Sequence, residues 1–143
     1  MRRKQLYLRL LALSLAGDDQ IAILPKGIRS PDVFAEDLDT ELHRIETFGP
    51  NDLSPDQLKF AREVDKLLEV MTDTGDTSLW DPEALHIKPE WQAVRERARA
   101  ALNAGDWPET DPNELQMAFG EPENERAYQE VISRLRSKLK VDS

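Results

Sequence analysis

The sequence predicts an all-α fold, a compact bundle of about five to seven helices with little or no β-structure. Apolar residues recur every three or four positions in four separate stretches, a spacing that places them on one side of a helix. Proline recurs directly after residues suited to helix capping, and proline is tolerated in the first turn of a helix but not in its interior. With 143 residues the chain can bury a substantial core, and we expect residues 1–143 to form one helical domain.

Residues 2–16 are predicted to form a core helix. The helix is expected to end at Gly17, because glycine suits the left-handed backbone position that closes many helices. Nearly every side of this helix is apolar, so neighbouring helices or a partner must cover it. Its basic start and short apolar run are also typical of a secretory signal, but Arg9 interrupts the run and favours the core helix. Residues 21–24 are strand-like without an evident pairing partner, which favours an extended linker.

Four further helices are predicted from their apolar stripes. The stripes consist of Phe34, Leu38, Leu42, Ile45 and Phe48, of Leu58, Ala61, Val64, Leu68 and Met71, of Trp91, Val94, Ala98 and Leu102, and of Tyr128, Val131, Leu135 and Leu139. Helix starts are predicted at Ser30-Pro31, Ser54-Pro55, Asp81-Pro82, Lys88-Pro89, Asp111-Pro112 and Glu121-Pro122. Gln57 lies three residues after Ser54, as in a capping box, and Gly49-Pro50 predicts a helix end.

Composition excludes several functional classes. The chain has no cysteine, and therefore no disulfide, no thiolate metal site and no thiol nucleophile. Its apolar runs fall short of the roughly 18 residues that cross a membrane, so we expect a cytoplasmic protein. His43 and His86 fit no paired metal-ligand spacing, and the glycines form no phosphate-binding loop. We therefore expect no metal, no cofactor and no enzymatic activity.

Negative charge is concentrated in one part of the sequence. The whole chain has a net charge of −9, and residues 30–58 contain eight acidic residues and one basic residue. The candidate partner contacts are Glu36, Asp37, Asp39, Glu41 and Glu46. We expect these carboxylates to be exposed, because burying them unpaired would cost several kcal/mol. This pattern predicts an acidic protein that binds a basic protein, such as one that handles nucleic acid, as an inhibitor, an immunity-type protein or an adaptor.

The basic ends of the chain leave a second function open. Residues 126–143 contain five basic and two acidic residues, and the candidate phosphate contacts are Arg134, Arg136, Lys138 and Lys140. Arg95 and Arg99 share one side of an earlier helix and would extend this surface if the two helices lay side by side. The alternative function is therefore an accessory helical subunit of a nucleoprotein complex.

Residues 70–82 resemble the active-site signature of pepsin-like aspartic proteases, with Asp73-Thr74-Gly75 followed by Leu79-Trp80 and Pro82. The resemblance implies that Asp73 shares a proton with a second aspartate and activates water. The sequence contains no second Asp-Thr-Gly, so the second aspartate would have to come from a homodimer. The apolar period before Asp73 favours instead a helix end followed by a glycine turn.

Overall fold

The computed structural model describes residues 2–27, 30–50 and 52–142, and within residues 2–142 it leaves undescribed the side chains of Arg2 and of residues 139–142. The α-helices in this part of the chain are α1 (Arg2–Ser14), α2 (Gly17–Ile23), α3 (Asp32–Phe48), α4 (Pro55–Asp73), α5 (Ala84–Ile87), α6 (Pro89–Ala104), α7 (Leu115–Phe119) and α8 (Glu125–Asp142). Two 3₁₀ helices, Thr77–Trp80 and Pro112–Glu114, complete the regular structure. No strand occurs among these residues, which confirms the all-α prediction.

The described residues form one α-helix more than the upper expected number, because residues 17–23 form α2 rather than a helix end and a linker. The short helices α5 and α7, of four and five residues, lie close after the starts predicted at Asp81-Pro82 and Asp111-Pro112. Among the helices of the described residues, none combines the length and apolarity needed to cross a membrane.

Helix α1 lies at the centre of the bundle. It packs against α3, α6 and α7, and α6 packs on its other side against α4. Leu6, Leu10 and Leu13 of α1 are completely buried, as is Trp91 of α6. The Trp91 indole nitrogen donates to the carbonyl oxygen of Leu79 at 2.7 Å, which satisfies the polar atom of this large core side chain. The expectation that neighbouring helices cover an apolar N-terminal helix is therefore confirmed.

The predicted end of the first helix is wrong. Helix α1 ends at Ser14, Gly17 begins α2, and the strand-like residues 21–23 are the last residues of α2. The buried side chain of Gln20 explains the difference, because its amide donates to the carbonyl oxygens of Ala12 and Leu13 at 3.1 and 3.2 Å. These bonds satisfy carbonyls that a helix end leaves unpaired, and they fold the chain back as a second helix.

Gly17 is required for close approach rather than for a left-handed backbone. A Cβ atom at this position would lie 2.5 Å from the carbonyl oxygen of Leu85 and 3.2 Å from the Cα atom of His86. We expect Gly17→Ala to lower the free energy of unfolding by about 1–3 kcal/mol, because α2 and α5 must separate to admit the methyl group. Urea denaturation measures this loss, with Ala100→Ser at an exposed residue of α6 as the control. Equal stability of the two variants would show that glycine at position 17 is not needed for the close approach of α2 and α5.

Proline marks some of the helix starts correctly. The capping box at Ser54 is present, with its hydroxyl oxygen accepting from the backbone nitrogen of Gln57 and the Gln57 side-chain oxygen accepting from the backbone nitrogen of Ser54. Pro89 begins α6 as predicted. Pro122 does not begin α8, which starts at Glu125.

The actual cap of α8 is Asn124. Its side-chain oxygen accepts from the backbone nitrogen of Ala127 at 3.1 Å. At the start of α3 the N-cap position is held by Pro31 rather than by Ser30, whose hydroxyl donates to the carbonyl oxygen of Trp80.

The predicted core position of Phe48 is also wrong, because this side chain is 74% exposed at the end of α3.

Candidate functional site

Helices α3 and α4 pack side by side and present a set of carboxylates on their outer surface. This acidic face, as we define it, consists of Glu36, Asp39 and Glu46 of α3 together with Asp65 and Glu69 of α4. All are exposed except Asp65, which is half-buried beside the α3–α4 contact. The helix period explains the placement, because the face lies at the edge of the apolar stripes through which both helices contact the core.

The carboxylates of the acidic face have no ion pair with lysine or arginine in the part of the chain that the structure describes, since no such nitrogen lies within 4.0 Å of their oxygens. His43 lies beside the face, with its Nδ1 atom 3.6 Å from Oδ2 of Asp39. A hydrogen bond from this nitrogen to the Asp39 carbonyl oxygen at 3.0 Å, followed by the Asp39 charge, raises the pKa of His43.

The pKa of Asp65 reflects both the burial of its carboxyl and the negative charges around it. Burial is the largest cause that raises the pKa of the Asp65 carboxyl, and the charges of Asp39, Glu69 and Glu46 also raise it, so that it reaches about 6. His43 acts in the opposite direction but does not outweigh them. Ionised carboxylates are thus crowded at the α3–α4 boundary, and a cation from outside the chain would relieve the repulsion.

The raised pKa makes stability depend on pH. The folded protein keeps a proton on Asp65 up to about pH 6, whereas the unfolded chain releases it near the ordinary aspartate pKa of 3.8. The free energy of unfolding therefore falls as the pH rises between these values. We expect Asp65→Asn to reduce this fall and to raise the thermal unfolding midpoint at neutral pH. Thermal scans at several pH values test this, with Asp106→Asn as an exposed control, and parallel curves for Asp65→Asn and the wild type would contradict it.

Two of the five candidate contacts do not lie on the acidic face. Glu41 is 1% exposed, which contradicts the expectation that all these carboxylates are solvated. Its carboxylate lies 3.4 Å from Nη1 of Arg44. Asp37 is half-buried, and burial raises its pKa while the charges of Arg9 and Arg44 oppose the rise.

The reason for this burial is Arg9, the residue that interrupts the apolar run of α1. Arg9 is only 8% exposed, and its Nη1 atom donates to the backbone and side-chain oxygens of Gln5 at 3.1 and 2.6 Å. Its charge interacts with those of Asp37 and Glu41 across the α1–α3 contact. These two carboxylates therefore face a buried cation on another helix. The helix period indicates the burial of Glu41, which lies three residues after Leu38 and four before Ile45, but it does not indicate the cation.

The basic residues of α8 are largely occupied by contacts within the chain. Arg134 pairs with Asp19 at 2.8 Å, and Arg136 holds Asp111 through two nitrogens at 3.0 and 3.1 Å. Lys138 is exposed, and the side chain of Lys140 lies outside the described residues. These ion pairs attach α8 to α2 and to the 3₁₀ helix Pro112–Glu114, which leaves less positive charge for a nucleic acid than the sequence suggests.

Arg95 and Arg99 do not extend this basic surface. Helix α6 packs against α1 and α4, whereas α8 packs against α2. Arg95 is 6% exposed, and the Arg99 side chain donates to the carbonyl oxygen of Ser14 at 2.9 Å. The idea of two basic helices lying side by side is therefore wrong.

The protease-like segment forms a helix end and a turn. Asp73 is the last residue of α4, and Gly75 follows it with a φ of 73°. Asp76 then caps the 3₁₀ helix by accepting from the backbone nitrogen of Ser78 at 3.0 Å. The strands that surround this signature in the protease family have no counterpart among the described residues.

The two histidines lie in separate contacts. His43 interacts with Asp39 within α3, whereas His86 lies 2.9 Å from the carboxylate of Asp18 on α2. In the described part of the chain, no three histidine, aspartate or glutamate side chains are arranged to hold a metal ion.

Comparisons with protein-family models, with curated proteins and with solved structures found no match.

Proposed function

We propose that this protein is a non-enzymatic cytoplasmic binding protein whose acidic face contacts a basic protein partner. It would act as an inhibitor, an immunity-type protein or an adaptor. The observation that supports the proposal is the acidic face itself, in which carboxylates from two adjacent helices lie together without a lysine or arginine within 4.0 Å in the described chain. Glu36, Asp39 and Glu46 remain as proposed contacts from α3, and Asp65 and Glu69 join them from α4.

The chemistry of the partner follows from this charge. Exposed carboxylates attract a positively charged surface over distances of about 8–10 Å at physiological salt, which increases the rate of association. Clefts that bind nucleic acid carry lysine and arginine for the phosphates, so an acidic helical face can occupy them. A nucleic-acid-handling protein is therefore the class of partner that we propose.

The alternative, an accessory subunit of a nucleoprotein complex, has weaker support. Arg134 and Arg136 are paired with carboxylates of the same chain, so a phosphate would have to compete with these ion pairs. Of the four candidate phosphate contacts, Lys138 is exposed and has no ion pair among the described residues. A pull-down from native lysate with and without nuclease separates the two functions. One basic protein recovered in both conditions supports the acidic-face proposal, and recovery only with intact nucleic acid contradicts it.

Charge reversal tests the face directly. We expect Asp39→Lys combined with Glu46→Lys to reduce the association rate with the recovered protein by roughly tenfold or more at low salt, because both changes place positive charge on the contact surface. The wild-type association rate should fall as salt increases, and that of the variant should fall much less. Surface-plasmon measurements at two salt concentrations give both quantities.

A matched control separates the face from overall charge. Asp106→Lys combined with Glu109→Lys makes the same change in net charge at two exposed residues in the segment that follows α6. We expect this control to keep most of the wild-type association rate. If both double variants slow association equally, binding depends on net charge and the acidic face is not the contact surface.

A further inference from the structure

A groove between α2 and the start of α8 forms a second surface suited to a partner. Its volume is about 300 Å³, and its apolar lining consists of Ile21, Ala22, Leu24, Pro82 and Ala127. This volume is at the lower end of the range for small-molecule sites, and the groove is partly open, so it suits one or two apolar side chains better than an enclosed ligand.

Two carboxylates lie along the apolar lining. They belong to Asp18 on α2 and Glu123 in the segment before α8. Among the described residues, no lysine or arginine nitrogen lies within 4.0 Å of either carboxylate, and the Nδ1 atom of His86 lies 2.9 Å from the Asp18 carboxylate. The groove therefore combines an apolar lining with negative charge that lysine and arginine of the same chain leave unpaired.

The position of Glu123 is defined by backbone contacts. Its side-chain oxygen accepts from the backbone nitrogen of Gly27 at 3.0 Å, and the backbone nitrogen of Lys26 donates to the carbonyl oxygen of Glu121 at 2.7 Å. A β-bridge between Pro25 and Pro122 joins the same two segments. This carboxylate is thus held beside the groove before any partner arrives, which reduces the ordering that binding requires.

We propose that this groove binds a short segment of a protein partner in which an apolar side chain is flanked by lysine or arginine. The apolar side chain would contact Ile21, Leu24 and Pro82, and the flanking cations would pair with Asp18 and Glu123. Charge complementarity supports this occupant over an acidic or uncharged segment. The groove lies on α2 and α8, whereas the acidic face lies on α3 and α4, so this inference does not depend on the proposed function.

Titration with a defined peptide tests the groove. The probe is the blocked tripeptide Lys-Leu-Lys, added to the full chain while ¹H–¹⁵N correlation spectra are recorded. We expect saturable shifts at the amides of Ile21, Leu24 and Ala127 with a dissociation constant of roughly 1 mM, the range in which a single small contact surface falls. The blocked peptides Lys-Ser-Lys and Glu-Leu-Glu should bind several-fold more weakly, because each lacks one of the two features that the groove recognises.

A conservative substitution separates groove binding from general attraction to an acidic protein. Glu123→Gln keeps an oxygen that accepts from Gly27 but removes the charge, and it should weaken Lys-Leu-Lys binding by about two- to fivefold. Glu109→Gln removes the same charge from an exposed residue outside the groove and should leave the affinity unchanged. Shifts that never saturate, equal binding of Lys-Ser-Lys, or equal loss in the two variants would overturn the proposal.

Discussion

Replacing Arg95 by methionine should lower the free energy of unfolding by about 3–5 kcal/mol, because several buried oxygens lose their donor at once. The guanidinium donates to the carbonyl oxygens of Leu15 and Leu85 at 2.6 and 2.8 Å. It also donates to the side-chain oxygens of Gln20 and Gln92 at 3.0 and 2.6 Å. Methionine fills a similar length but donates no hydrogen bond, so the two carbonyls and Gln20 would remain buried without this partner.

Urea denaturation measures the loss, and Arg97→Met supplies the control on the same helix. Arg97 is exposed and makes an ion pair with Glu63 at 3.2 Å, so its replacement should cost less than about 1 kcal/mol. A cost for Arg95→Met no larger than that for Arg97→Met would show that the buried hydrogen bonds contribute little.

The long helices can be predicted from the sequence because the residues that indicate each helix lie close together in the chain. The apolar stripe from Phe34 to Ile45 and the capping box at Ser54 arise from residues within a few positions of one another, and the structure confirms both. Helix α6 was likewise predicted from Pro89 and the stripe that begins at Trp91. Local spacing is sufficient where a helix simply turns one apolar side toward the core.

The errors occur where the structure depends on residues that are distant in the sequence. Gly17 resembles a helix end, yet its role is decided by contact with Leu85. Arg95 resembles a surface cation, yet it donates to Leu15, which is 80 positions earlier in the chain. The helix period places Arg95 on the apolar stripe, four residues after Trp91 and three before Ala98, but it does not show which distant oxygens this arginine contacts.

The candidate site also combines residues that nearby sequence predicts with residues that only the packing of helices brings together. The outward positions of Asp39 and Glu46 follow from the helix period and were predicted. Asp65 and Glu69 were missed, although their i,i+4 spacing places both on the same side of α4, because only the packing of α4 on α3 brings them beside the predicted residues.

Glu41→Lys should be as damaging as Arg95→Met, with an expected loss of about 3–5 kcal/mol in the free energy of unfolding. The substitution places a lysine in a site that is 1% exposed, beside the cations Arg9 and Arg44. Three positive groups would then meet with Asp37 as the remaining carboxylate that interacts with Arg9. Asp39→Lys, on the exposed side of the same helix, should change stability by no more than about 0.5 kcal/mol.

The comparison of these two variants also decides how binding data should be interpreted. Loss of partner binding in Glu41→Lys would reflect disruption of the α1–α3 contact, whereas loss in Asp39→Lys would report on the acidic face, because that variant stays folded. Urea denaturation of both proteins at neutral pH provides the measurement, and Glu41→Gln, which removes the charge but keeps the shape, should be less destabilised than Glu41→Lys. Equal stability of Glu41→Lys and Asp39→Lys would show that Glu41 is solvated, and it would return this residue to the set of candidate partner contacts.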